Sequence, residues 1–272
     1  PRPPHPATTL GVRRTAVTAR PVLRSGATVT DSRDLPDLSS YDAVLFDLDG
    51  VLTPTAEVHM RAWKEMFDEL FAAWDIQPPY TDRDYFDHVD GKKRYDGVAS
   101  LLRSRDVEVP WGDPSDDPSL DTVCGVGNRK NLVFSRILRA EGIAPYPGSV
   151  ALLDVLQAAG IPIAVVSSSK NAVEVLEAAG IRDRFPVVMD GVVAERDHLA
   201  SKPAPDVFAE AARMLRVDPA RSAAVEDATS GVASASAAGF GLVVGVDRGV
   251  GAEHLVAAGA DVVVDDLQAF VD

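Results

Sequence analysis

The 272-residue sequence holds one cysteine, Cys124, and it has no excess of basic residues. One cysteine can form neither an internal disulfide nor a thiolate metal cluster, so the sequence predicts a protein of the reducing cytoplasm. The formal net charge of −14 argues against a nucleic-acid partner, because a broad nucleic-acid surface needs a basic domain. No apolar run reaches the ~18 residues of a membrane helix, so no membrane partner is expected either. An anionic small molecule stays compatible if its positive contacts are local.

Residues 1–40 contain many Pro, Thr, Ser and Ala residues, little apolar periodicity and no acidic residue before Asp31. This composition predicts a disordered N-terminal extension. Its arginines leave open an organelle-type transit peptide, which is rich in Arg and poor in acidic residues. No apolar segment follows that would indicate a secretory signal.

Short apolar runs begin at residue 43 and predict the strands of a buried sheet. They lie at residues 43–46, 161–166, 186–189, 223–225, 242–246 and 262–264. Strands that are apolar at every position are typical of parallel sheets, which are covered on both faces. Amphipathic helices are predicted between and after the later strands, at about residues 148–159, 170–179, 205–216, 229–238 and 251–258. This alternation predicts an α/β fold with a doubly wound parallel sheet.

The interval after the first strand is too long for one crossover helix. It contains helical patterns near residues 56–73, 94–104 and 119–141, and a loop rich in Pro, Asp and Gly at 109–119. The sequence therefore predicts an α-helical cap domain at 56–146. The core domain would consist of residues 41–55 and 147–272.

Asp47 closes the first predicted strand, and Asp49 follows in a turn that contains Gly50. Ligands of open α/β sheets bind beyond the carboxyl ends of the strands. There Asp47 can attack phosphorus as a nucleophile, while Asp49 protonates a leaving group or takes the proton of an incoming hydroxyl. The motif alone leaves open a surface turn or a fragment of a calcium loop. An EF-hand, however, would need a further ligand and a distant Glu, and it would not follow a buried strand.

Three further sets of polar residues lie at or just beyond the predicted strands. Serines 167–169 precede a helix, where hydroxyl and N–H groups form an anion site or an ordinary helix cap. Lys202 stands before another helix, as a phosphoryl ligand or as a solvated lysine. Glu226 and Asp227 end a strand, where they can hold Mg²⁺ through oxygen ligands or cap the next helix. A parallel sheet would gather all of them at one edge.

The segments DLDGV, VSSS, KPAPD and ED, in this order, resemble the four motifs of the haloacid dehalogenase (HAD) superfamily over about residues 41–272. The resemblance implies that Asp47 is the phosphorylated nucleophile and Asp49 the general acid/base. It also implies that Ser167 and Lys202 bind the transferring phosphoryl group. The Mg²⁺ ligands would be Asp47, the backbone carbonyl of Asp49, Glu226 and Asp227. The metal and the lysine would offset charge on the phosphoryl oxygens.

Four local segments resemble the β-phosphoglucomutase group of that superfamily. They are TPTAEVHMRAWK at 53–64, DGKKR at 90–94, NRKN at 128–131 and SKN at 169–171. The resemblance gives His59 a catalytic role together with Lys130, and Arg94 the role of holding the non-reacting phosphate. The substrate-binding residues that it implies are Thr55, Trp63, Gly91, Arg94, Lys130, Asn131, Ser169, Lys170 and Asn171.

The residues themselves also allow plainer interpretations. His59 lies four residues before Trp63 on one helix face and is equally a structural histidine. The basic run at 92–94 is also typical of a solvated charge run or a weak nucleic-acid patch, and Lys130 of a surface lysine. Pro54 and Ser168 depart from the group's pattern, which has Asp and Ala there. The loop near 105–120 is longer than a minimal cap needs.

The resemblance implies interconversion of β-D-glucose 1-phosphate and glucose 6-phosphate through β-glucose 1,6-bisphosphate, by a monomer that uses Mg²⁺. Two alternatives stay open: a sugar-phosphate phosphatase, in which water accepts the phosphoryl group, and a non-catalytic binding module with the same fold. His59, Arg94 and Lys130 favour the mutase over the phosphatase. The paired carboxylates of the first motif argue against the binding module.

Overall fold

The structure is a computed structural model that describes residues 35–89 and 94–271. Its strands are β1 (Val44–Phe46), β2 (Ile163–Val166), β3 (Val187–Met189), β4 (Ala223–Glu226), β5 (Leu242–Val246) and β6 (Val262–Val264). All the pairings between these strands are parallel, and their order in the sheet is β3-β2-β1-β4-β5-β6. Strands β1, β2 and β3 follow one another outward on one side of the sheet, and β4, β5 and β6 then do so on the other side. This confirms the predicted doubly wound α/β fold.

The helices of the described residues surround this sheet and fill the interval between β1 and β2. They are α1 (Thr55–Ala73), α2 (Asp82–Asp84), α3 (Arg94–Ser104), α4 (Val123–Glu141), α5 (Pro147–Ala158), α6 (Ala172–Ala178), α7 (Gly191–Arg196), α8 (Asp206–Leu215), α9 (Thr229–Ala237) and α10 (Ala252–Ala258). A π-helical turn, Tyr85–Val89, follows α2. No helix in the described ranges is both long and apolar enough to cross a membrane.

The strands are buried on both faces because successive side chains point to opposite sides of a sheet. Val44 and Phe46 pack into one apolar cluster together with residues of α5 and α6. Leu45, between them, packs into a second cluster with residues of α8, α9 and α10. Helices on both faces explain why the strand sequences are apolar throughout instead of alternating.

The parallel register brings together the polar residues at the carboxyl ends of β1, β2 and β4. Phe46 pairs with Val165 of β2 and Val225 of β4. The N–H group of Asp47 donates to the carbonyl oxygen of Val225 at 2.9 Å. The carboxyl ends of the three central strands are therefore level, and Asp47 lies between its two neighbours.

Between β1 and β2 the described residues contain helices and no strand. Helix α1 begins at Thr55 and buries an apolar stripe that includes Trp63 and Phe67. The pattern predicted at 119–141 starts later, because Thr122 caps α4 and accepts a hydrogen bond from the N–H group of Gly125 at 2.9 Å. The stretch predicted as a loop lies in the long irregular connection between α3 and α4. The division into a core and a separate cap domain stays a prediction.

Several segments differ from the sequence-based expectation. Helix α7 and the helical turns at 82–89 were not predicted, because they are short and lack a long apolar stripe. Leu38–Ser40 forms a 3₁₀ turn whose Leu38 is buried, so the last residues of the expected extension belong to the packed structure. The rest of that expectation, at residues 1–34, lies outside the described residues.

A buried ion pair among the helices gives a test of the fold. One nitrogen of Arg105 donates to both carboxylate oxygens of Asp84 at 2.8 Å, and the two side chains are 9% and 10% exposed. Arg105→Met should lower the free energy of unfolding by about 3 kcal/mol, because it leaves a buried carboxylate without its counter-charge. Urea unfolding followed by circular dichroism measures this loss.

The matched control is Arg61→Met. Arg61 pairs with Glu141 across two side chains that are 53% and 52% exposed. Solvent screens such a pair, so its loss should leave the free energy of unfolding nearly unchanged. Equal losses in the two variants would contradict a special contribution from the buried pair.

Candidate active site

Asp47 and Lys202 form the centre of the site. Asp47 follows β1 and is 6% exposed, so it is not part of a surface turn. The Lys202 Nζ atom donates to Asp47 Oδ1 at 2.6 Å, to the Val166 carbonyl oxygen at 2.8 Å and to the Glu226 carboxylate. Because the Lys202 side chain is only 7% exposed, the alternative of a solvated lysine is wrong.

Three carboxylates, those of Asp47, Glu226 and Asp227, lie close together here, and the first two bond to the Lys202 ammonium group. Each offers an oxygen, and these oxygens lie within 4.8 Å of one another. Burial raises the pKa of Asp47, although Lys202 opposes this effect. Burial, and then the charge of Asp47, raise the pKa of Glu226 to about 7 and that of Asp227 to about 9. A compact, oxygen-only set with excess negative charge fits a hard divalent cation such as Mg²⁺.

Two glycines make this crowding of carboxylates feasible. A Cβ atom at Gly231, in the first turn of α9, would overlap the Glu226 carboxylate. A Cβ atom at Gly50 would overlap the Asp227 carboxylate, and Gly50 also has a φ of +79°, a region that favours glycine. The alternative that the two acidic residues cap α9 is not found, because its N-cap residue is Ala228, without a side-chain cap.

Asp49 lies beside this cluster and is held by hydroxyl groups. Thr55 Oγ1, at the start of α1, donates to Asp49 Oδ1, and Ser167 Oγ donates to Asp49 Oδ2 at 3.5 Å. Burial raises the pKa of Asp49 to about 6, and the charge of Asp47 adds to the effect. A carboxyl group that titrates near neutral pH is suited to both accepting and donating a proton.

The serine loop after β2 is organised by its own hydroxyl groups. Ser167 Oγ accepts a hydrogen bond from the Ser169 N–H group at 3.1 Å, and Ser169 Oγ accepts one from the Asn171 N–H group at 3.1 Å. Helix α6 begins only at Ala172, and its N-cap residue makes no side-chain cap bond. The serines are therefore not an ordinary helix cap, and the anion site stays a prediction.

His59 and Lys130 form a buried pair between α1 and α4. The Lys130 Nζ atom lies 2.7 Å from His59 Nδ1, and the His59 ring stacks on Phe134 with 4.3 Å between ring centroids. Lys130 is 3% exposed, so the alternative of a surface lysine is wrong. Burial and the charge of Arg94 lower its pKa to about 7, against an opposing effect of Asp49. Burial, followed by Lys130, lowers the pKa of His59.

Arg94, Asn131 and Asn171 form a second polar group. The Asn131 Oδ1 atom on α4 accepts from Arg94 Nη2 at 2.9 Å and from Asn171 Nδ2 at 2.7 Å. Burial lowers the pKa of Arg94, against an opposing effect of Tyr95. A largely buried guanidinium whose partners Asn131 and Tyr95 are neutral side chains is suited to binding an anion.

Most of the predicted site residues therefore meet in these groups, with two exceptions. Lys170 forms an ion pair with Glu195 at 2.7 Å on the surface, where both side chains are exposed. Gly91 lies outside the described residues. Trp63 is close to the buried pair, with the Lys130 Nζ atom 5.2 Å from its ring centroid.

Two contributors to the site were not predicted. Phe134 stacks on His59, and its position four residues after Lys130 on α4 was an available signal. Arg248, in the loop after β5, donates to the Gly50 carbonyl oxygen at 2.8 Å. The signal for Arg248 was its place beyond another strand end, where a parallel sheet collects its ligands.

Comparison with known proteins gives one family match and several similar proteins. The model of the haloacid dehalogenase-like hydrolases matches residues 41–239. The β-phosphoglucomutases of Mycobacterium bovis and Mycobacterium tuberculosis are 47% identical over 235 residues, which cover 83% of this chain and 89% of theirs. The β-phosphoglucomutase of Bacillus subtilis is 33% identical over 231 residues, which cover 83% of this chain and 93% of its own.

Solved structures give the same picture. CbbY from Rhodobacter sphaeroides in complex with phosphate is 30% identical, with a TM-score of 0.64, over 84% of this chain and 95% of its own. A variant of CbbY in complex with xylulose-(1,5)bisphosphate is 28% identical, with a TM-score of 0.64, over 85% of this chain and 99% of its own.

The buried Lys130 predicts a gain in stability when its amino group is removed. The folded state lowers its pKa from 10.5 to about 7, so between these values the unfolded chain binds more protons. Lys130 therefore destabilises the fold fully below pH 7 and progressively less as the pH rises toward 10.5. Lys130→Met should raise the midpoint of thermal unfolding at pH 7 by about 3 °C or more, and by less at pH 9.5.

Scanning calorimetry of the variant and the unaltered protein at both pH values measures this difference. Lys64→Met is the control, since Lys64 is half exposed and pairs with Asp68 at the surface. It should change the midpoint little and equally at both pH values. A lower midpoint for Lys130→Met at pH 7 would contradict the argument.

Proposed function

This chain belongs to the haloacid dehalogenase-like hydrolase family, and we propose that it is a β-phosphoglucomutase. The proposed reaction interconverts β-D-glucose 1-phosphate and glucose 6-phosphate through β-glucose 1,6-bisphosphate. The observation that carries the proposal is the presence of two separate groups suited to phosphate. One is Lys202 beside Asp47, and the other is Arg94 with Asn131 and Asn171. The 47% identity to two β-phosphoglucomutases supports the same assignment.

The proposed reaction starts from an enzyme that carries a phosphoryl group on Asp47. The 6-hydroxyl oxygen of β-glucose 1-phosphate attacks phosphorus, the bond from phosphorus to Asp47 breaks, and Asp49 takes the hydroxyl proton. The resulting bisphosphate turns over in the site. Asp47 then attacks the C1 phosphoryl group, the sugar oxygen leaves with the proton from Asp49, and glucose 6-phosphate is released. The pKa of Asp49, raised to about 6, suits this double use.

Lys202 and the serine loop would hold the transferring phosphoryl group. The Lys202 ammonium already balances charge on Asp47 and Glu226, and burial strengthens its effect on developing charge. Burial by itself would lower the pKa of Lys202, but the two carboxylates outweigh it and raise the pKa. Lys202 therefore stays charged throughout the reaction. Ser167, next to Asp49, would donate a further hydrogen bond.

We propose Mg²⁺ as the cofactor. Its ligands would be oxygens of Asp47, Glu226 and Asp227 and the backbone carbonyl of Asp49, and three of these residues already form a compact set. When bound, the ion would supply positive charge beside the transferring phosphoryl group. The raised pKa values of Glu226 and Asp227, which come from burial and then from the charge of Asp47, fit this role, because a bound cation would favour both charged forms.

Arg94 would hold the phosphate that does not react, and His59 with Lys130 would couple sugar binding to the placing of Asp49. The charge of Asp49 acts on Lys130, which lies on α4, while Thr55 on α1 donates to Asp49. A substrate that moves α1 and α4 toward the sheet would therefore also bring the Asp49 side chain into its reacting position. Water alone makes none of these contacts, so transfer to sugar would be favoured over hydrolysis.

A second candidate is a sugar-bisphosphate phosphatase that uses the same nucleophile. The similarity to CbbY in complex with xylulose-(1,5)bisphosphate favours it. In that reaction water would accept the phosphoryl group from Asp47, and free phosphate would leave. The two functions share every proposed contact of Asp47 and differ only in the acceptor.

The acceptor can be identified by measuring both products at once. Protein supplied with β-glucose 1-phosphate, Mg²⁺ and a trace of β-glucose 1,6-bisphosphate should form glucose 6-phosphate with little free phosphate. Asp47→Asn should lower kcat by at least about 10⁴-fold, because the nucleophile is lost. Asp42→Asn, which changes a carboxylate bonded to Arg221 at the opposite edge of the sheet, should keep full activity. Release of mostly free phosphate would instead support the phosphatase.

Arg94→Lys tests the second phosphate group. A lysine cannot reproduce the two-pronged contact of a guanidinium, so kcat/KM for β-glucose 1-phosphate should fall about 30-fold. Hydrolysis of acetyl phosphate, which has no second phosphate, should change less than about 3-fold. Arg83→Lys, at an exposed position of α2, serves as the control. Equal losses with both substrates would show that Arg94 does not act on a second phosphate.

A further inference from the structure

Arg248 connects the proposed catalytic turn with the chain segments on either side of the helices between β1 and β2. It lies in the loop after β5 and is 23% exposed. We propose that Arg248 is a positioning residue for phosphoryl transfer, because it fixes the turn that carries Asp49 together with both of these connecting segments. This inference rests on the proposed function for the role of Asp49, but not on the identity of the acceptor.

The first contact of Arg248 is with the catalytic turn itself. Its Nε atom donates to the carbonyl oxygen of Gly50 at 2.8 Å. The Gly50 N–H group donates to the Thr53 carbonyl oxygen at 2.9 Å, which closes the turn. On the other side, the Gly50 Cα atom faces the Asp227 carboxylate with no room for a Cβ atom. Gly50, the residue that follows Asp49, is thus held between Arg248 and a proposed metal ligand.

The second contact is with the segment that returns to the sheet from α4. The guanidinium carbon of Arg248 lies 3.9 Å from the ring centroid of Tyr146, the N-cap residue of α5. The Tyr146 N–H group donates to the Leu52 carbonyl oxygen at 2.9 Å, in the segment that leads from β1 to α1. One guanidinium group therefore contacts the outgoing segment and the returning segment where the two lie side by side.

Arg248 is itself held from the C-terminal side. Its Nη1 atom donates to the Asp265 carbonyl oxygen at 2.9 Å, and both terminal nitrogens lie 3.4 Å from Asp266 Oδ2. The contact with Asp266 is long and partly exposed, so its ionic contribution is small. The guanidinium group of Arg248 donates hydrogen bonds from its edge and stacks on Tyr146 with its planar face. A lysine side chain cannot do both at once.

The functional consequence differs from that of an ordinary structural arginine. Loosening Arg248 should displace Asp49 without removing any of the proposed substrate contacts, which belong to other residues. A displacement of about 1 Å at a reacting group costs about 100-fold in rate. Turnover should therefore fall while the affinity for substrate stays nearly constant.

The experiment compares Arg248→Met, Arg248→Lys and Arg221→Met in the full chain. Arg221 is a matched control, because it also joins distant segments, by donating to Asp42 at 2.6 and 2.8 Å. Both residues precede their strands, β4 and β1, and therefore lie at the end of the sheet away from the proposed site. Each variant is assayed for kcat and KM with β-glucose 1-phosphate, for free phosphate released from acetyl phosphate, and for the midpoint of thermal unfolding.

Arg248→Met should lower kcat about 100-fold in both assays, with KM changed less than about 3-fold. Arg248→Lys should recover less than a tenth of the lost turnover, and Arg221→Met should keep wild-type kcat. If Arg248→Met has a lower midpoint of thermal unfolding than Arg221→Met, the decision rests on Arg248→Lys, which keeps the charge. That variant should then show the large loss of kcat at a nearly constant KM. A kcat within 3-fold of wild type in Arg248→Lys, or a loss carried by KM, would overturn the proposal.

The acetyl phosphate assay separates this inference from the proposed function. Failure of the unaltered protein to make glucose 6-phosphate would refute the mutase. The ratio of the rates of Arg248→Met and the unaltered protein on acetyl phosphate would still decide the role of Arg248, since that reaction needs the placed turn and no sugar.

Discussion

The three hydrogen bonds of the Lys202 ammonium are the interaction on which the proposed site depends. Asp47 and Glu226 come from neighbouring central strands, and without that charge between them their buried carboxylates would repel each other. Buried ion pairs are poor stabilisers, because desolvation offsets most of their attraction. The surrounding fold nevertheless holds the cluster in place through level strand ends and through close packing at Gly231. Buried charged groups that are held together at a cost in stability are typical of functional sites.

Helix α4, which precedes β2, contacts the segment that follows β2 through polar groups and not through buried charges. Asn131 meets Asn171 through one amide hydrogen bond, while Ser135 and Arg139 on α4 donate to Glu174 on α6 at 2.6 and 3.1 Å. These contacts are polar, and the Arg139 side chain is largely exposed, so separating them costs little compared with opening the apolar core. In the proposed function, the carboxylates at the strand ends would keep their places while these polar contacts part and re-form. That contrast suits a site that must admit a sugar phosphate and then exclude water.

Sequence patterns were sufficient for the sheet and the acidic cluster, because both follow from local rules. Uniformly apolar runs such as residues 43–46 identify covered parallel strands, and strand ends indicate where polar residues gather. The same rules could not show that Lys130 is buried, because residues that cover it, such as Trp63, lie far away in the sequence. The contact of Arg248 could not be predicted for a similar reason, because its partner Gly50 lies 198 positions away in the sequence. Short helices such as α7 have too few residues to show a helical periodicity of apolar side chains.

The central strand β1 precedes both of its neighbours in the chain. Val44 pairs with Ile163 on one side and with Ala223 on the other, so β1 must wait for most of the chain before its neighbours exist. Such distant pairings give a high contact order and slow folding. On the ribosome, β1 and its acidic turn emerge before β2 and β4, so they lack both neighbouring strands until β4 has been translated. Asp47, the proposed nucleophile, is thus made before both of the strands that flank it in the sheet.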